Sequence, residues 1–507
     1  MFVGRASRVG IAAAAALLTC GALELLTRWI DGYAVGAIRL RSVRPRAGIV
    51  SSPPGKWIDP DQAASYVSAL PVADGVDRTW FALNPGPVAR PPLNPLIEAR
   101  YAAHAGYELP SVYWWNREFL RRVACGRERA SLVETFQHLD DVFAFDAASA
   151  RPTYRFLPNT LYPSGLVTNE YGWRGRSIPL NKPANRIRVA FIGSSTTLDA
   201  HSDPFSYPEY VGRWLDAWAT AHAVDATFDV VNAGREGITS DSIAAIVSDE
   251  LLPVRPDVVV YYEGSNQFWP NAFAARPLMR TWRLLTPRPL AGYSALAVRA
   301  YEALDRRRAG TEPAKPPLAV GWPADLSEDD PPLDDARLPV DLPAILRDLD
   351  QIRAALTSVG ATLVVSSFVW LVHPGMTLER GRDAFLYRYL NEGYWPFSYA
   401  HLRRFADFQN RVFRKYAATR HLSFIDLAAA YPRDAKLFTD AIHMTPAGVK
   451  LKAWLVFQQL IPVIQRKVAA RTLPSIDPDG RRDHPAFAGI SKPIAMDEIR
   501  VSCAAPR

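Results

Sequence analysis

The chain carries little sulfur, with three cysteines and five methionines in 507 residues. Cys20, Cys125 and Cys503 are too few for a disulfide scaffold or a zinc site with CxxC spacing; Cys125 and Cys503 could pair in an exported domain, but free thiols are the expectation. Only one long apolar run is present, so a polytopic membrane protein does not fit. No compact Lys/Arg patch is interleaved with aromatic residues in the folded part, and no internal repeat stands out. The net charge of +8 (pI ≈ 9.3) is therefore read as a basic, Arg-rich surface with no nucleic-acid partner. With 49% hydrophobic and 22% charged residues, the composition excludes a disordered or collagen-like chain. Forty-two prolines and 29 glycines point to long ordered loops. At ~150 residues per domain the length allows two to three domains, or one with long insertions.

What is there begins at the N-terminus. Arg5 and Arg8 precede an uncharged run from Val9 to Leu23, interrupted by Glu24 and closed by Arg28. A basic segment before such a run reads as a signal peptide or signal anchor. No A-x-A cleavage site follows, so residues 1–30 are expected to be an uncleaved membrane helix. Thr19 before Cys20 is a poor fit to a lipoprotein processing box. Arg39, Arg41, Arg44 and Arg46 pull the far flank toward the cytoplasm, against an exported orientation.

Residues 31–150 are expected to be a linker and helical extension. The stretch up to about Arg100 is rich in Pro, Gly and Asp and reads as a linker draped over the domain, and Trp114–Arg129 reads as an amphipathic helix. Residues 151–185 are a lead-in segment. From 186 to 470 buried strands alternate with amphipathic helices. The strands are Arg186–Ile192, Phe228–Asn232, Pro256–Tyr262, Thr362–Ser367 and Leu422–Leu427. The helices include Glu209–Ala221, Asp241–Leu252, Leu342–Ser358, His401–Ala418 and Pro446–Val468. This alternation predicts an α/β fold with a parallel sheet and right-handed crossovers, with functional residues at strand ends. Insertions 267–339 and 373–399 follow strand ends and are placed to roof the site. Residues 471–507 form an extended tail.

Four strand-end blocks carry chemistry. Gly193-Ser194-Ser195-Thr196-Thr197 ends the first strand, and Asn232-Ala233-Gly234-Arg235-Glu236-Gly237 the second. Glu263-Gly264-Ser265-Asn266 ends the third. After the fifth comes Asp440-Ala441-Ile442-His443-Met444-Thr445-Pro446. A serine nucleophile needs a base, a carboxylate to orient that base, and donors for the oxyanion. Asp440, three residues before His443, sits close enough to hold the imidazole in one tautomer. Thr445-Pro446 is a helix N-cap and N1 pair that steadies the loop. Taken singly, each block has an ordinary explanation: a Ser cap, a Gly turn, an Asn turn former, a surface Asp/His pair. Their order along the chain is what singles them out.

Together these blocks resemble the SGNH (GDSL-type) hydrolase family over roughly Arg186 to Val468. The resemblance implies a three-layer α/β/α, flavodoxin-like fold with five parallel strands. It implies Ser195 as nucleophile, His443 as general base and Asp440 as the acid that orients it. Backbone N–H groups of Ser195 and Gly234 and the amide of Asn266 become the oxyanion hole. The motif departs from the family at Ser194, where Asp is usual, and that Asp stands outside the triad. The segments around Tyr154–Asn159 and Thr168–Gly175 also resemble a lead-in found in bacterial members, read here as a β-hairpin buttress.

The resemblance implies a serine esterase working through an acyl-enzyme, with no metal or organic cofactor. The expected substrate is an acylated carbohydrate or another ester, with O-acetyl groups on cell-envelope or exopolysaccharide glycans first. The catalytic domain is then expected on the extracytoplasmic side, tethered by the anchor.

 The placement rests on the anchor alone. Lipid or short-chain esters fit the same residues, as does acyl transfer to a sugar hydroxyl. A non-catalytic, membrane-tethered glycan-binding or assembly protein on the same fold is the alternative from another class.

Overall fold

The computed structural model describes residues 3–30, 63–88, 143–145, 154–156, 166–169, 171–199, 205–268, 293–297, 320–376 and 399–474, with isolated positions between them. The expected helix at Trp114–Arg129, His201, Cys125, Cys503 and most of both insertions lie outside the described residues. The chain divides into two compact units, each taken here by itself.

In the first unit, helix α1 (Val3–Ile30) includes Ala12–Ile30, with a mean hydropathy of 1.4, long and apolar enough to cross a membrane. Leu17, Leu18 and Trp29 stand exposed on it. Glu24, which interrupts the apolar run, pairs with Arg28 at 2.7 Å. Its carboxylate also accepts the Ala295 and Leu296 N–H groups at 2.9 and 3.0 Å, capping the helical turn that begins there.

The second unit holds the site. A short antiparallel pair, β1 (Phe143–Phe145) and β2 (Tyr154–Phe156), comes first among its strands. The central sheet then takes β3 (Arg186–Gly193), β4 (Thr227–Asn232), β5 (Val258–Tyr262), β6 (Thr362–Ser366) and β7 (Ser423–Ile425). Its five strands run parallel in the order β4-β3-β5-β6-β7, the flavodoxin-like arrangement. Every residue of β5 is buried, as its Val-Val-Val-Tyr-Tyr run requires with helices on both faces. The edge strands β4 and β7 are less completely buried.

The helices are α2 (Ala64–Ala69), α3 (Ser195–Leu198), α4 (Tyr207–Ala221), α5 (Ser240–Ile246), α6 (Leu342–Ser358), α7 (Tyr399–Thr419), α8 (Leu427–Ala430) and α9 (Pro446–Ala469). Helices α4 and α9 pack together on one face, and α5, α6 and α7 serve the other. The expected helix Asp241–Leu252 is instead broken: α5 stops at Ile246, a π turn spans Val247–Leu251 and a 3-10 turn spans Leu252–Val254. Pro253 lacks the N–H that would continue an α-helix. Helix α9 has a mean hydropathy of 1.2 yet is buried, so it is a core helix.

Residues 63–88 belong to this unit and pack on its helices. Phe81 stacks on Trp214 at 5.8 Å and meets Trp454 edge-on at 5.6 Å, while Trp214 Nε1 donates to the Leu83 carbonyl at 3.1 Å. The described end of the first insertion lies along α7. There the Arg404 guanidinium sits 4.1 Å over the Trp322 ring, and Lys415 pairs with Asp330 at 2.5 Å.

Candidate active site

The four blocks end where the parallel sheet would put them. After β3, the chain turns at once into α3, whose first residue is Ser195; Thr197 and Leu198 N–H both donate to the Ser194 carbonyl at 2.9 Å. The turn is too tight for a side chain at its base. A Cβ on Gly193 would fall 2.2 Å from Thr197 Oγ1 and 2.2 Å from the Tyr262 carbonyl. A Cβ on Gly234 would fall 2.4 Å from the Leu198 nitrogen, so the loop after β4 lies directly on α3.

The last block is a small hairpin. Phe438 bridges Met444, and Thr439 N–H donates to the His443 carbonyl at 2.9 Å. Thr445 caps α9 by accepting the Gly448 N–H at 3.2 Å, with Pro446 next. Inside this loop Asp440 Oδ1 accepts the N–H groups of Ile442 and His443 at 2.8 and 2.7 Å. Asp440 Oδ2 lies 2.7 Å from His443 Nδ1, and His443 Nε2 lies 2.9 Å from Ser195 Oγ. The structure thus brings Ser195, His443 and Asp440 into one chain of hydrogen bonds across 248 residues of sequence.

The electrostatics follow from this geometry. Burial alone would lower the His443 pKa, but the Asp440 charge and hydrogen bond, with smaller contributions from Glu236 and Asp199, raise it to about 9. Burial would raise Asp440, yet His443 and the two loop amides hold it below the ordinary carboxylate range. Burial of Glu236 outweighs the attraction of His443 and brings its carboxyl up to about 7. An imidazole held this way can take a proton from the hydroxyl and be stabilised as the cation by the acid behind it.

The three expected oxyanion donors stand differently. Ser195 N–H, in the first turn of α3, has no intrahelical acceptor. Gly234 N–H donates to Asn232 Oδ1 at 3.1 Å, an engagement that its expected role did not anticipate. Asn266 Nδ2 donates one hydrogen to the Ile238 carbonyl at 2.7 Å, which orients the side chain and leaves its second hydrogen for a ligand.

Several supporting residues escaped the sequence reading. Lys452, buried in α9, donates to the Thr196 carbonyl at 2.6 Å and to Asp199 Oδ1 at 3.0 Å. Arg174 of the lead-in donates to the Leu198 carbonyl at 3.2 Å and lies 3.3 Å from Glu209, so this segment braces α3 from outside. The one available signal for Lys452 was a pair of lysines, Lys450 and Lys452, in the largely apolar first half of α9. Among the described residues no group of three or more His, Cys, Asp or Glu side chains is gathered as a metal would need.

An imidazole set between a carboxylate and a hydroxyl, at the C-terminal edge of a flavodoxin-like sheet, is the machinery of an SGNH-type serine ester hydrolase. The chain belongs to the GDSL-like lipase/acylhydrolase family, whose model matches residues 191–451. No curated protein matches it. Among solved structures it is similar to Axe2, an acetylxylan esterase from Geobacillus stearothermophilus, at 15% identity over 55% of this chain and 96% of that one, with a TM-score of 0.31. It is also similar to a GDSL-like lipase from Bacteroides thetaiotaomicron, at 12% identity over 54% of this chain and 88% of that one, with a TM-score of 0.26.

Proposed function

We propose that this enzyme removes acyl groups, O-acetyl first, from cell-envelope or exopolysaccharide glycans while α1 holds it in a membrane. The unbroken run from Ser195 through His443 to Asp440 is the observation that carries the reading. Residues 1–30 serve as the anchor and 186–470 as the catalytic domain, facing the extracytoplasmic side. The aromatic-rich insertion 373–399 supports a sugar substrate, because aromatic faces stack on sugar rings.

In the first half-reaction Ser195 Oγ attacks the ester carbonyl as His443 Nε2 takes its proton. The resulting oxyanion accepts hydrogen bonds from Ser195 N–H and the Asn266 amide. Gly234 N–H joins them as a three-centre bond shared with Asn232 Oδ1. The ester C–O bond then breaks, the sugar oxygen takes the proton from His443, and the acyl group stays on Ser195. In the second half a water gives its proton to His443 and adds to the acyl carbon. Collapse returns the proton to Ser195 Oγ and releases the carboxylic acid.

The test is p-nitrophenyl acetate hydrolysis by the full chain in detergent, followed by acetate release from an acetylated polysaccharide. Ser195→Ala is expected to lower the rate by about 10⁶-fold, the size of effect seen when a triad serine is removed. Equal rates in both proteins would remove Ser195 as nucleophile. Acyl release from lipid but not from glycan would move the substrate to membrane esters.

A further inference from the structure

Ser194 stands where the sequence departs from its family, and the structure shows what it touches. The pairing of β3 with β5 sets Ile192 opposite Tyr261 and Gly193 opposite Tyr262. One step further along the same register, Ser194 comes opposite Glu263. Both are buried, at 0% and 2% exposure. Ser194 Oγ donates to Glu263 Oε2. The other carboxylate oxygen faces the next turn: Glu263 Oε1 accepts the Ser265 N–H at 2.7 Å and the Asn266 N–H at 3.0 Å. One side chain therefore holds the residue before Ser195 and the backbone of Asn266 together.

Among the described residues no Lys or Arg forms an ion pair with Glu263; its hydrogen-bond partners are hydroxyl and amide donors. Burying a carboxylate among neutral donors is costly, and an apolar residue here would avoid that cost. What an apolar residue would not supply is two acceptors on one rigid plane, fixing two turns at a set separation. That separation matters because an oxyanion donor works only within a few tenths of an ångström of its place.

We propose that Glu263 is a positioning residue for the esterase reaction: through Ser194 and the Ser265-Asn266 amides it sets the distance between the Ser195 nucleophile and the Asn266 oxyanion donor. The inference rests on the esterase reading above. Its logic predicts which substitutions are tolerated. Gln at 263 keeps one acceptor for the two amides and turns an NH₂ toward Ser194, whose hydroxyl can accept instead of donate. Ala at 263 removes both links, and Ala at 194 removes one.

The experiment measures kcat and KM for p-nitrophenyl acetate and the affinity for a phenylboronic acid, which mimics the tetrahedral adduct, on the full chain. Active sites are counted by fluorophosphonate labelling, so that misfolded molecules are excluded. Glu263→Ala is expected to lose about 10²-fold in kcat per labelled site, as for loss of an oxyanion donor, with KM nearly unchanged and boronate affinity falling in parallel. Ser194→Ala is expected to lose about 10-fold, the weight of one buried hydrogen bond. Glu263→Gln should restore most of the rate, and the Ser194→Ala change should add little to Glu263→Ala. A kcat per labelled site equal to wild type in both Ala variants overturns the proposal. So does a loss confined to KM, or to the number of labelled sites. An unlabelled, inactive wild type instead overturns the esterase reading and this inference with it.

Discussion

Both ends of the parallel sheet are lined with buried charge, and at one of them two carboxylates stand apart from Lys and Arg. At the N-terminal end each carboxylate faces a cation. Lys182 pairs with Asp257 at 2.7 Å, Arg188 pairs with Asp229 at 3.0 Å across β3 and β4, and Asp257 also accepts the Arg188 N–H at 2.6 Å. At the C-terminal end Lys452 pairs with Asp199 at 3.0 Å, but Asp440 is held by two backbone amides and His443, and Glu263 by hydroxyl and amide donors. A carboxylate matched by a fixed cation has little charge left to offer and serves to hold strands in register. Asp440, held by two loop amides below the ordinary carboxylate range, directs its charge at His443. The proposed esterase reaction would draw on that difference, with cation-matched carboxylates at one end holding strands and Asp440 at the other facing the imidazole.

Substitutions at the two ends should therefore be separable. Asp440→Asn should lower kcat by about 10⁴-fold, because the imidazole loses its tautomer and its counter-charge. Its thermal unfolding should stay close to wild type; a matching loss of fold would erase the contrast. At the other end Asp257→Ala breaks the buried ion pair with Lys182 and removes the acceptor of the Arg188 N–H, and should cost about 3–5 kcal/mol in denaturant unfolding. The rate per fluorophosphonate-labelled site should not change, and a falling rate would mean that the two ends are coupled.

The smallest effect concerns pH. The His443 pKa is raised to about 9, and the base must be neutral to accept a proton. The rate constant kcat/KM should thus climb with pH and level off only above about 9. At that pH Glu236, with its own value near 7, is ionised and helps to hold the proton on His443. Glu236→Gln removes that negative charge, lowers the His443 pKa and should move the rising limb toward lower pH. A limb that stays in place would show that Glu236 does not contribute to the value.

Much of the fold was legible because the physics involved is local. Leu342–Ser358 was read to the residue, since Pro343 near its start and an amphipathic repeat mark it plainly. Strand β3 was read to within one residue from a run of apolar side chains. The expected strand Leu422–Leu427 shrinks to Ser423–Ile425, because Leu427 already begins α8. The four strand-end blocks were visible because a tight strand-to-helix turn demands Gly193 and because Asp440 and His443 stand three residues apart on one loop. Glu263 stood in a quoted block without a role, since its partner Ser194 lies 69 residues away.

The sequence by itself determined the α/β alternation, the residue types at each strand end, and the apolar helix at the N-terminus. These follow from side-chain periodicity and turn chemistry, which act between near neighbours. The tertiary structure alone decided that Ser195 and His443 touch and that Lys452 and Arg174 brace α3. It also decided that of two apolar helices α1 is exposed while α9 is core. Those outcomes depend on the order of strands in the sheet and on which helices share a face, relations between residues that only the folded chain brings together.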